Sequence, residues 1–322
     1  MGRVRARYFE VHDLLSMEVR ASRAEVPRAF EVDGLRGPDL KVLEGGFEVG
    51  GRPLRPLGLR LFVGEKVLLH RCLSYGDLKL LLLDLLGSEG PTTIAFTPQY
   101  RLFREVLMGS SVWHFVKLAI MVRLLASRGV TFVHASGVGR EHDAYLFTAW
   151  SDVGKTGTAV ELVRAYGDEL GWMSNDIAIL GPGRQVLAWP SLPSRAMRPF
   201  EKVPFLRSLV VRREELLPPD TKMKMRGKLS CLFVLEQGPP GVRELKPEEA
   251  FKKLAICTDM AFNFSSNLLL MAYSYADPEL DLLALREKHL ELLREAAEGA
   301  PCIELRARGP RGFAKLAQEF IS

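Results

Sequence analysis

Apolar residues in the first hundred positions come in short runs that glycines and prolines separate. Lys41–Leu43, Leu59–Val63 and Lys66–His70 are runs of strand length, and turn-forming residues lie between them. The pattern predicts a small β-rich N-terminal domain, which we place at residues 1–108.

A helical pattern begins after this domain. Val112–Ser127 has helical length and a broad apolar face. Strands and helices then alternate, which predicts an α/β domain at residues 109–322. Its other predicted segments are a turn at Gly137–His142, a strand at Ala144–Thr148, a helix at Thr156–Tyr166, two strands around a turn in WMSNDIAILG, a strand at Gln185–Pro190, long loops over Pro190–Lys228, a strand at Leu229–Glu236, a helix at Pro278–Glu298, a strand at Cys302–Arg306 and a helix from Gly312.

The sequence TAWSDVGKTGT, between a strand and a helix, ends like a phosphate-binding loop. In the pattern G-x-x-x-x-G-K-[ST], backbone amides wrap the phosphates, the lysine reaches the outer phosphates and the hydroxyl binds magnesium. The following helix would point its positive N-terminus at the phosphates. We therefore predict that residues 149–156, here called the GKT loop, bind a nucleotide with Mg²⁺. The predicted nucleotide-binding residues are Ser151, Asp152, Val153, Gly154, Lys155, Thr156 and Gly157.

Two positions of the GKT loop depart from this pattern. Ala149 stands where the first glycine is expected, and alanine is the smallest substitute. Asp152 adds a negative charge near the phosphates, although aspartate tolerates left-handed backbone geometry. The strand before the loop and the helix after it still favour nucleotide binding over a surface turn.

Four short sequences, one of which contains the loop, together carry a resemblance to a known family. They are the strand His134-Ala135-Ser136, the strand YLFTA, the loop SDVGKTGTAVEL and the acidic turn Ser174-Asn175-Asp176. Together they resemble the catalytic core of HPr kinase/phosphorylase, within the P-loop kinases of the HPr kinase/PEP carboxykinase-like type. The resemblance spans about Val112 to Pro190, extends loosely through LSCLFVLE, and implies an α/β domain with ATP-dependent kinase activity.

The resemblance also implies a role for each matching residue. Lys155 would neutralise the transferred phosphoryl group, and Thr156 and Asp176 would hold magnesium. Asp176 would alternatively be the base that accepts the hydroxyl proton, with His134 assisting beside the loop. Asn175 stands where the family has the first of two acids, and the HPr-specific glycine-rich signature is missing. We therefore expect an unknown small-molecule or protein acceptor other than HPr.

Other interpretations of the same residues stay open. An amide at position 175 cannot accept a proton as a carboxylate does, which allows a nucleotide-binding sensor or scaffold with weakened catalysis. The loop also resembles those of polynucleotide 5′-kinases and of small GTPases, but the guanine-reading sequence Asn-Lys-x-Asp is missing. Taken alone, His134 is typical of a packed core histidine, and Asp176 of a turn cap.

Two further features near the loop have more than one interpretation. Trp150 would stack on an adenine or pack in the protein. A basic cluster would form a lid over phosphates or a solvated loop. Its members are Arg195, Arg198, Lys222, Lys224, Arg226 and Lys228.

Charge and cysteine content add little to this picture. The net charge of +5 comes from 44 basic and 39 acidic residues, a mixed surface that does not predict nucleic-acid binding. The four cysteines form no CxxC or Cys/His pattern, so we expect buried free thiols. The N-terminus has no apolar stretch of signal-peptide length, and the run Leu78–Leu86 is too short to span a bilayer. We expect a cytoplasmic protein without a membrane partner, and leave a homo-oligomer open.

Overall fold

The computed structural model describes residues 4–72, 78–106, 108, 110–197, 212–218 and 220–321. Of residues 194–197 and 212–214 it describes the backbone alone. The described chain is mixed α/β and divides into two compact units. Allowing for the gaps just given, the first unit contains residues 4–128 and 264–286, and the second contains residues 129–197, 212–263 and 287–321.

The strands of the described residues are β1 (Arg7–Val11), β2 (Leu15–Arg20), β3 (Glu31–Val32), β4 (Leu40–Glu44), β5 (Arg55–Pro56), β6 (Leu61–Gly64), β7 (Val67–Arg71), β8 (Lys79–Leu83), β9 (Thr92–Phe96), β10 (Thr131–Val133), β11 (Ser136–Arg140), β12 (Asp143–Thr148), β13 (Gly171–Ser174), β14 (Ala178–Gly181), β15 (Gln185–Ala188), β16 (Ser194–Met197), β17 (Arg212–Glu215), β18 (Arg226–Gln237), β19 (Gly241–Glu244) and β20 (Cys302–Ala307). The α-helices are α1 (Pro98–Val106), α2 (Val112–Arg128), α3 (Lys155–Tyr166), α4 (Pro247–Phe262), α5 (Leu268–Ala276), α6 (Leu282–Gly299) and α7 (Pro310–Ala317).

A nine-stranded mixed sheet forms most of the first unit, in the order β3-β1-β2-β4-β9-β8-β7-β6-β5. β4 pairs in parallel with β2 and β9, while the other neighbours run antiparallel. On β7, β8 and β9, Leu69 pairs with Leu81, and Leu81 pairs with Ala95. Because paired residues share a face, these side chains form one buried apolar cluster.

Asp84 interrupts the apolar run that begins in β8. Its φ is 43°, and its carboxylate accepts hydrogen bonds of 2.7–2.9 Å from the backbone N–H groups of Ser88, Glu89 and Gly90. Burial raises the pKa of Asp84, but these bonds outweigh it and leave the pKa lowered. The run is therefore a strand followed by a tight turn. In the part of the chain that the structure describes, no helix is both long and apolar enough to cross a membrane.

The helix α2 belongs to the first unit, although the sequence analysis placed it in the second domain. Lys117 Nζ lies 3.0 Å from the carboxylate of Glu25, and Arg123 Nη1 donates to Thr92 Oγ1 at 2.7 Å. These polar contacts join α2 to chain that precedes it. The unit boundary consequently falls after Arg128 and not at residue 108.

A distant stretch of chain, residues 264–286, completes the first unit. It carries α5. Asn267 caps the N-terminus of this helix, because its side chain accepts hydrogen bonds from the backbone N–H groups of Leu269 and Leu270. The hydroxyl of Tyr273, a side chain 1% exposed, accepts a 2.9 Å hydrogen bond from the backbone N–H of Leu85. The described part of the first unit is thus built from two segments that are far apart in sequence.

A second mixed sheet organises the second unit. Its strands follow the order β10-β14-β15-β18-β12-β11-β13, with β20 beside the later part of β18 and β19 beside β20. β12, β18 and β20 are parallel neighbours, so their carboxyl ends lie at one edge of the sheet. Ligands of α/β proteins usually bind outside that edge.

The core of the second unit lies between this sheet and two helices. Phe147 of β12 stacks on Phe233 of β18, with ring centroids 4.9 Å apart. Leu162 of α3 and Phe313 of α7 belong to the same buried cluster. Because parallel strands are covered on their faces, the sequences YLF and CLFVL are continuous apolar runs and do not alternate.

His134 does not lie on a strand, contrary to the sequence analysis. β10 ends at Val133 and β11 begins at Ser136, so His134 and Ala135 form a break between two strands of the same sheet. The strands separate here: β10 pairs with β14, while β11 pairs with β12 and β13. The histidine therefore has an irregular backbone that a continuous strand would not give it.

The turn predicted at Gly137–His142 is confined to Glu141 and His142, because β11 extends to Arg140. A Cβ on Gly139 would lie 2.6 Å from Lys224 Cγ and 3.0 Å from the carbonyl oxygen of Asp143. This glycine allows close packing inside a strand and does not mark a turn.

Most other predicted elements of the second unit occur with shifted ends. α3 and α7 begin one and two residues earlier than predicted, and α6 begins four residues later. Pro190–Lys228, predicted as loops, contains the antiparallel pair β16 and β17 and the start of β18, while its residues 198–211 lie outside the described residues. The predicted buried free thiols are confirmed for Cys72, Cys231, Cys257 and Cys302.

A buried carboxylate links β20 to β19 and α4. The side chain of Glu304 is 1% exposed and lies 2.7 Å from Arg243 Nη2, 3.0 Å from Lys253 Nζ and 2.8 Å from Arg306 Nη2. Burial alone would raise the pKa of Glu304, but the hydrogen bonds from Arg243 and Lys253 lower it to about 2. We call these four residues the Glu304 cluster.

Candidate functional site

The GKT loop connects the end of β12 to the start of α3, at the carboxyl edge of the sheet. Asp152 has a φ of 62° and Gly154 a φ of 122°, both in the left-handed half of backbone space. Aspartate tolerates the first value, while the second is open to glycine alone without strain. The sequence Asp152-Val153-Gly154 therefore specifies the tight path of the loop into the helix.

The side chain of Lys155 points back into the loop. It is 6% exposed, and its Nζ donates to the carbonyl oxygen of Ala149 at 3.3 Å. Burial lowers the pKa of Lys155, and the charges of Asp176, Cys257 and Asp152 oppose that effect without cancelling it. A buried ammonium with one neutral partner is poised to gain from an anion placed inside the loop.

Three side chains meet at the first turn of α3. Thr156 Oγ1 donates to Asn175 Oδ1 at 2.8 Å, and Ser136 Oγ lies 3.4 Å from Thr156 Oγ1. Ser136 also donates to the backbone carbonyl of Asn175. The turn after β13 and the start of β11 are thereby joined to the GKT loop. Asn175, a departure from the family pattern, and Ser136, a residue without a predicted role, both contact Thr156.

His134 lies beside this group and makes three contacts that fix its position. Its Nδ1 is 3.1 Å from the carbonyl oxygen of Asp176. Because a carbonyl can only accept, Nδ1 carries the proton and Nε2 keeps its lone pair. Its backbone carbonyl accepts from Thr148 Oγ1 at 3.0 Å, and the ring packs edge-on against Phe262 at 6.0 Å.

The protonation of His134 provides a first test of this geometry. Burial lowers its pKa below 6.5, the charge of Lys155 lowers it further, and Asp176 partly opposes both. We expect NMR titration to place the pKa below 6.5 in wild type and nearer 6.5 in Lys155→Met, since that variant removes a like charge. His134→Gln identifies the resonance. An equal pKa in both proteins would contradict the proximity of the two residues.

Because the pKa of His134 is lowered, its contribution to the stability of the folded protein depends on pH. Because the folded protein disfavours the protonated imidazole, the contribution of His134 is fully present above pH 6.5 and is lost as the pH falls through the lower folded pKa.

Helix α4 forms a wall of the site that sequence reasoning missed. Thr258 Oγ1 accepts a 3.4 Å hydrogen bond from the backbone N–H of His134, and Ser151 Oγ lies 3.7 Å from Met260 Sδ. Burial raises the pKa of the Cys257 thiol, which a hydrogen bond to Thr148 and the charge of Lys155 partly offset. No motif marks these residues, so only the packing of α4 reveals them.

The other predicted nucleotide-binding residues lie along the loop. Ser151 and Asp152 are exposed, and the backbone carbonyl of Val153 accepts a 3.0 Å hydrogen bond from Gln237 Nε2 at the end of β18. Gly157 is in the first turn of α3. Trp150 is 58% exposed. The structure thus brings Lys155, Thr156, Asn175, Asp176 and His134 together and leaves the middle of the loop open to solvent.

The structure describes only part of the basic cluster. Lys222 Nζ donates to the backbone carbonyl of Asp168 at 2.9 Å, and Lys224 donates to that of Glu141. Arg198 and the side chain of Arg195 lie outside the described residues. Lys222 and Lys224 therefore bond to the protein's own backbone, and a lid over phosphates stays a prediction.

The oxygen atoms around Thr156 fit a magnesium ion by their chemistry. Magnesium prefers oxygen ligands at about 2.0–2.1 Å in an octahedron, where adjacent ligands are about 2.9 Å apart. Thr156 Oγ1 and Asn175 Oδ1 are 2.8 Å apart, and the exposed Asp176 follows Asn175. Among the described residues no group of three or more histidine, cysteine, aspartate or glutamate side chains could hold a metal ion.

Comparisons with known proteins found distant similarity among solved structures only. No protein-family model matches the chain, and no curated protein matches it. Among solved structures, the HPr(Ser) kinase/phosphatase from Coxiella burnetii is similar, with 15% identity over 36% of this chain and 71% of that chain and a TM-score of 0.22. That TM-score is too low to establish a shared fold.

Proposed function

We propose that this chain is a phosphotransferase that binds ATP with Mg²⁺ at the GKT loop and phosphorylates a hydroxyl group of an acceptor other than HPr. The observation that carries the proposal is the meeting of Lys155, Thr156, Asn175 and His134 at the N-terminus of α3. A nucleotide phosphate chain requires positive charge, which the helix end and the buried ammonium group supply. Its magnesium ion requires oxygen ligands, which the cluster of oxygen atoms supplies.

The GKT loop supplies the phosphate contacts in this proposal. Lys155 would exchange its neutral partner, the carbonyl of Ala149, for a phosphate oxygen. Thr156, Asn175 and Asp176 would hold magnesium, which neutralises phosphate charge when it is bound. The backbone N–H groups of the first turn of α3 would add the remaining donors.

Two side chains are candidates for the proton acceptor. When the acceptor oxygen attacks the terminal phosphorus, the bond from that phosphorus to the bridging oxygen breaks, ADP leaves, and the hydroxyl proton moves to a base. His134 offers a neutral imidazole with a free Nε2, because Nδ1 is engaged by Asp176. The carboxylate of Asp176 is the second candidate.

A nucleotide-binding sensor without transfer activity is the alternative function. The bond between Thr156 and Asn175 favours it, since an amide occupies the position beside the hydroxyl. Magnesium binds an amide oxygen less strongly than a carboxylate, because the amide has no charge. Nucleotide binding would then change the conformation of the loop without chemistry.

Binding is tested first, by thermal and urea unfolding with Mg²⁺ complexes of ATP, ADP, GTP and pyrophosphate. A ligand at a hundredfold excess over its dissociation constant stabilises the folded state by about 2.7 kcal/mol. We expect stabilisation by ATP. If none of the four ligands stabilises the protein, both proposed functions are wrong.

Transfer is tested with ATP that carries radioactive phosphorus at the γ-position. Wild type is incubated with sugars, nucleosides, serine peptides and RNA ends, and label is followed in each acceptor and in released phosphate. We expect label in one acceptor class and a loss of at least 100-fold in Lys155→Ala and Asp176→Asn. ATP binding without label movement would reject the phosphotransferase and support the sensor, and label on RNA ends would indicate a polynucleotide 5′-kinase.

A further inference from the structure

A cavity of about 710 Å³ is lined in part by Pro310, a residue that packs against the GKT loop. Ligand pockets for small molecules usually have about 300–1,000 Å³. Residues from α3, the turn after β18, the turn after β20 and α7 line it, among them Glu161, Pro240, Arg308, Pro310, Arg311 and Lys315.

The cavity shares an edge of the sheet with the GKT loop. The loop follows β12, Pro240 follows β18, and Arg308 and Pro310 follow β20. These three strands are parallel neighbours, so the chain leaves all of them in the same direction. An extended ligand at this edge can therefore contact all three exits.

Direct packing joins the cavity wall to the loop. A Cβ on Gly154 would lie 3.2 Å from Pro310 Cγ, and one on Gly157 would lie 2.6 Å from the same atom. Glycine at these positions lets the turn after β20 close against the loop. Glu161 lies four residues after Gly157 and so extends the same face of α3 into the cavity.

The two faces of the α3 N-terminus thus differ in chemistry. Thr156 faces the oxygen group of Asn175 and Ser136, where phosphate and metal chemistry fits. Gly157 faces Pro310 and the cavity, whose wall also includes Ala307 and Leu316. A nucleotide has the same division, with a charged phosphate chain at one end and a flat, largely apolar base at the other.

The rim of the cavity offers groups that recognise a base. Arg311 Nε is 3.5 Å from Glu161 Oε2, and the arginine side chain is 90% exposed. A guanidinium plane can stack on a base, and a carboxylate can accept hydrogen bonds from its N–H groups. Arg308 and Lys315 add positive charge to the wall of the cavity.

We infer that this cavity holds the base and ribose of the nucleotide whose phosphates bind at the GKT loop. The inference rests on the proposed nucleotide binding and adds the location of the nucleoside. In this arrangement Pro310 separates the phosphate side from the base side, and the turn after β20 sets the nucleoside preference.

The test compares ATP with inorganic tripolyphosphate, both as Mg²⁺ complexes, by titration calorimetry. Lys315→Trp and Pro240→Trp each place a large ring in the cavity, and Lys252→Trp makes the same change on the exposed surface of α4. We expect each cavity variant to lose at least tenfold in affinity for ATP and less than twofold for tripolyphosphate. The Lys252 variant should keep both affinities.

Results that would contradict the inference differ from results that would contradict the proposed function. If the folded cavity variants bind ATP as wild type does, or lose both ligands equally, the inference is overturned while nucleotide binding at the loop stands. If wild type binds neither ligand, the proposed function falls together with the inference. Because Pro240 is exposed in a turn, its variant keeps the test valid if Lys315→Trp fails to fold.

Discussion

A Lys155→Met variant is expected to lose the stabilisation that Mg²⁺–ATP gives to wild type, about 2.7 kcal/mol at a hundredfold excess of ligand. It should also lose at least about 100-fold in phosphoryl transfer, the scale of removing one charge-stabilising group from a transition state. Methionine keeps the length of the side chain and removes the charge. Since Lys155 is 6% exposed and burial lowers its pKa, the variant should fold without difficulty.

Urea unfolding with and without nucleotide measures the first effect, and phosphate release measures the second. Lys252→Met is the matched control, because Lys252 is exposed on α4. Lys155→Met should be as stable as wild type without ligand, or more stable, since a buried charge with one neutral partner is removed. A wild-type response of Lys155→Met to ATP would show that the loop does not bind the phosphates.

The Glu304→Gln variant is expected to lose about 3 kcal/mol of stability, near the lower end of the range for breaking a buried ion pair. Three cations surround a carboxylate that is 1% exposed, and the substitution leaves them without a central anion. Arg243 and Arg306 are about half exposed, so water limits the loss. Urea unfolding at pH 7 measures the difference.

Glu249→Gln is the control for the Glu304 variant. Glu249 pairs with the same Arg243 at 2.7 Å, but its side chain is 37% exposed, so its loss should destabilise the protein far less than the loss of Glu304. The lowered pKa of Glu304 gives a second signature. Its stabilisation is present above the unfolded value of 4.5 and is lost as the pH falls towards about 2. Equal small effects of both variants would contradict a buried cluster.

The elements around the GKT loop could be predicted because each has a local cause. The apolar runs of β12 and β18 require burial on both faces, and Gly154 marks the turn into α3. The helix was placed within one residue of its observed start. Local sequence was sufficient here because strand, loop and helix follow one another along the chain.

Features that depend on distant residues could not be predicted. Gly139 looks like part of a turn, and only Lys224 and Asp143 pressed against it explain its place in a strand. The position of His134 between two strands follows from the partners of β10 and β11. The α4 wall has no motif, since Thr258 approaches His134 through folding alone.

The residues of the candidate site also divide into those that local sequence predicts and those that only the folded structure reveals. Lys155, Thr156, Asp176 and His134 could be chosen from spacing and resemblance, and their functional roles stay predictions. The contact of Thr156 with Asn175 could not be foreseen, because Asn175 appeared only as a substitution for an acid. Pro310 likewise gave no signal, as its contact with Gly157 joins residues more than 150 positions apart in sequence.

The two-segment construction of the first unit bears on how the chain folds during synthesis. Residues 4–128 leave the ribosome well before residues 264–286, which carry Tyr273, the partner of the Leu85 backbone. At about 5–20 residues per second, the intervening chain takes roughly 7–27 s to be made. The large N-terminal sheet must wait that long for α5, while the chain of the second unit is already emerging. Chaperones that shield apolar surface would act on this protein in that interval.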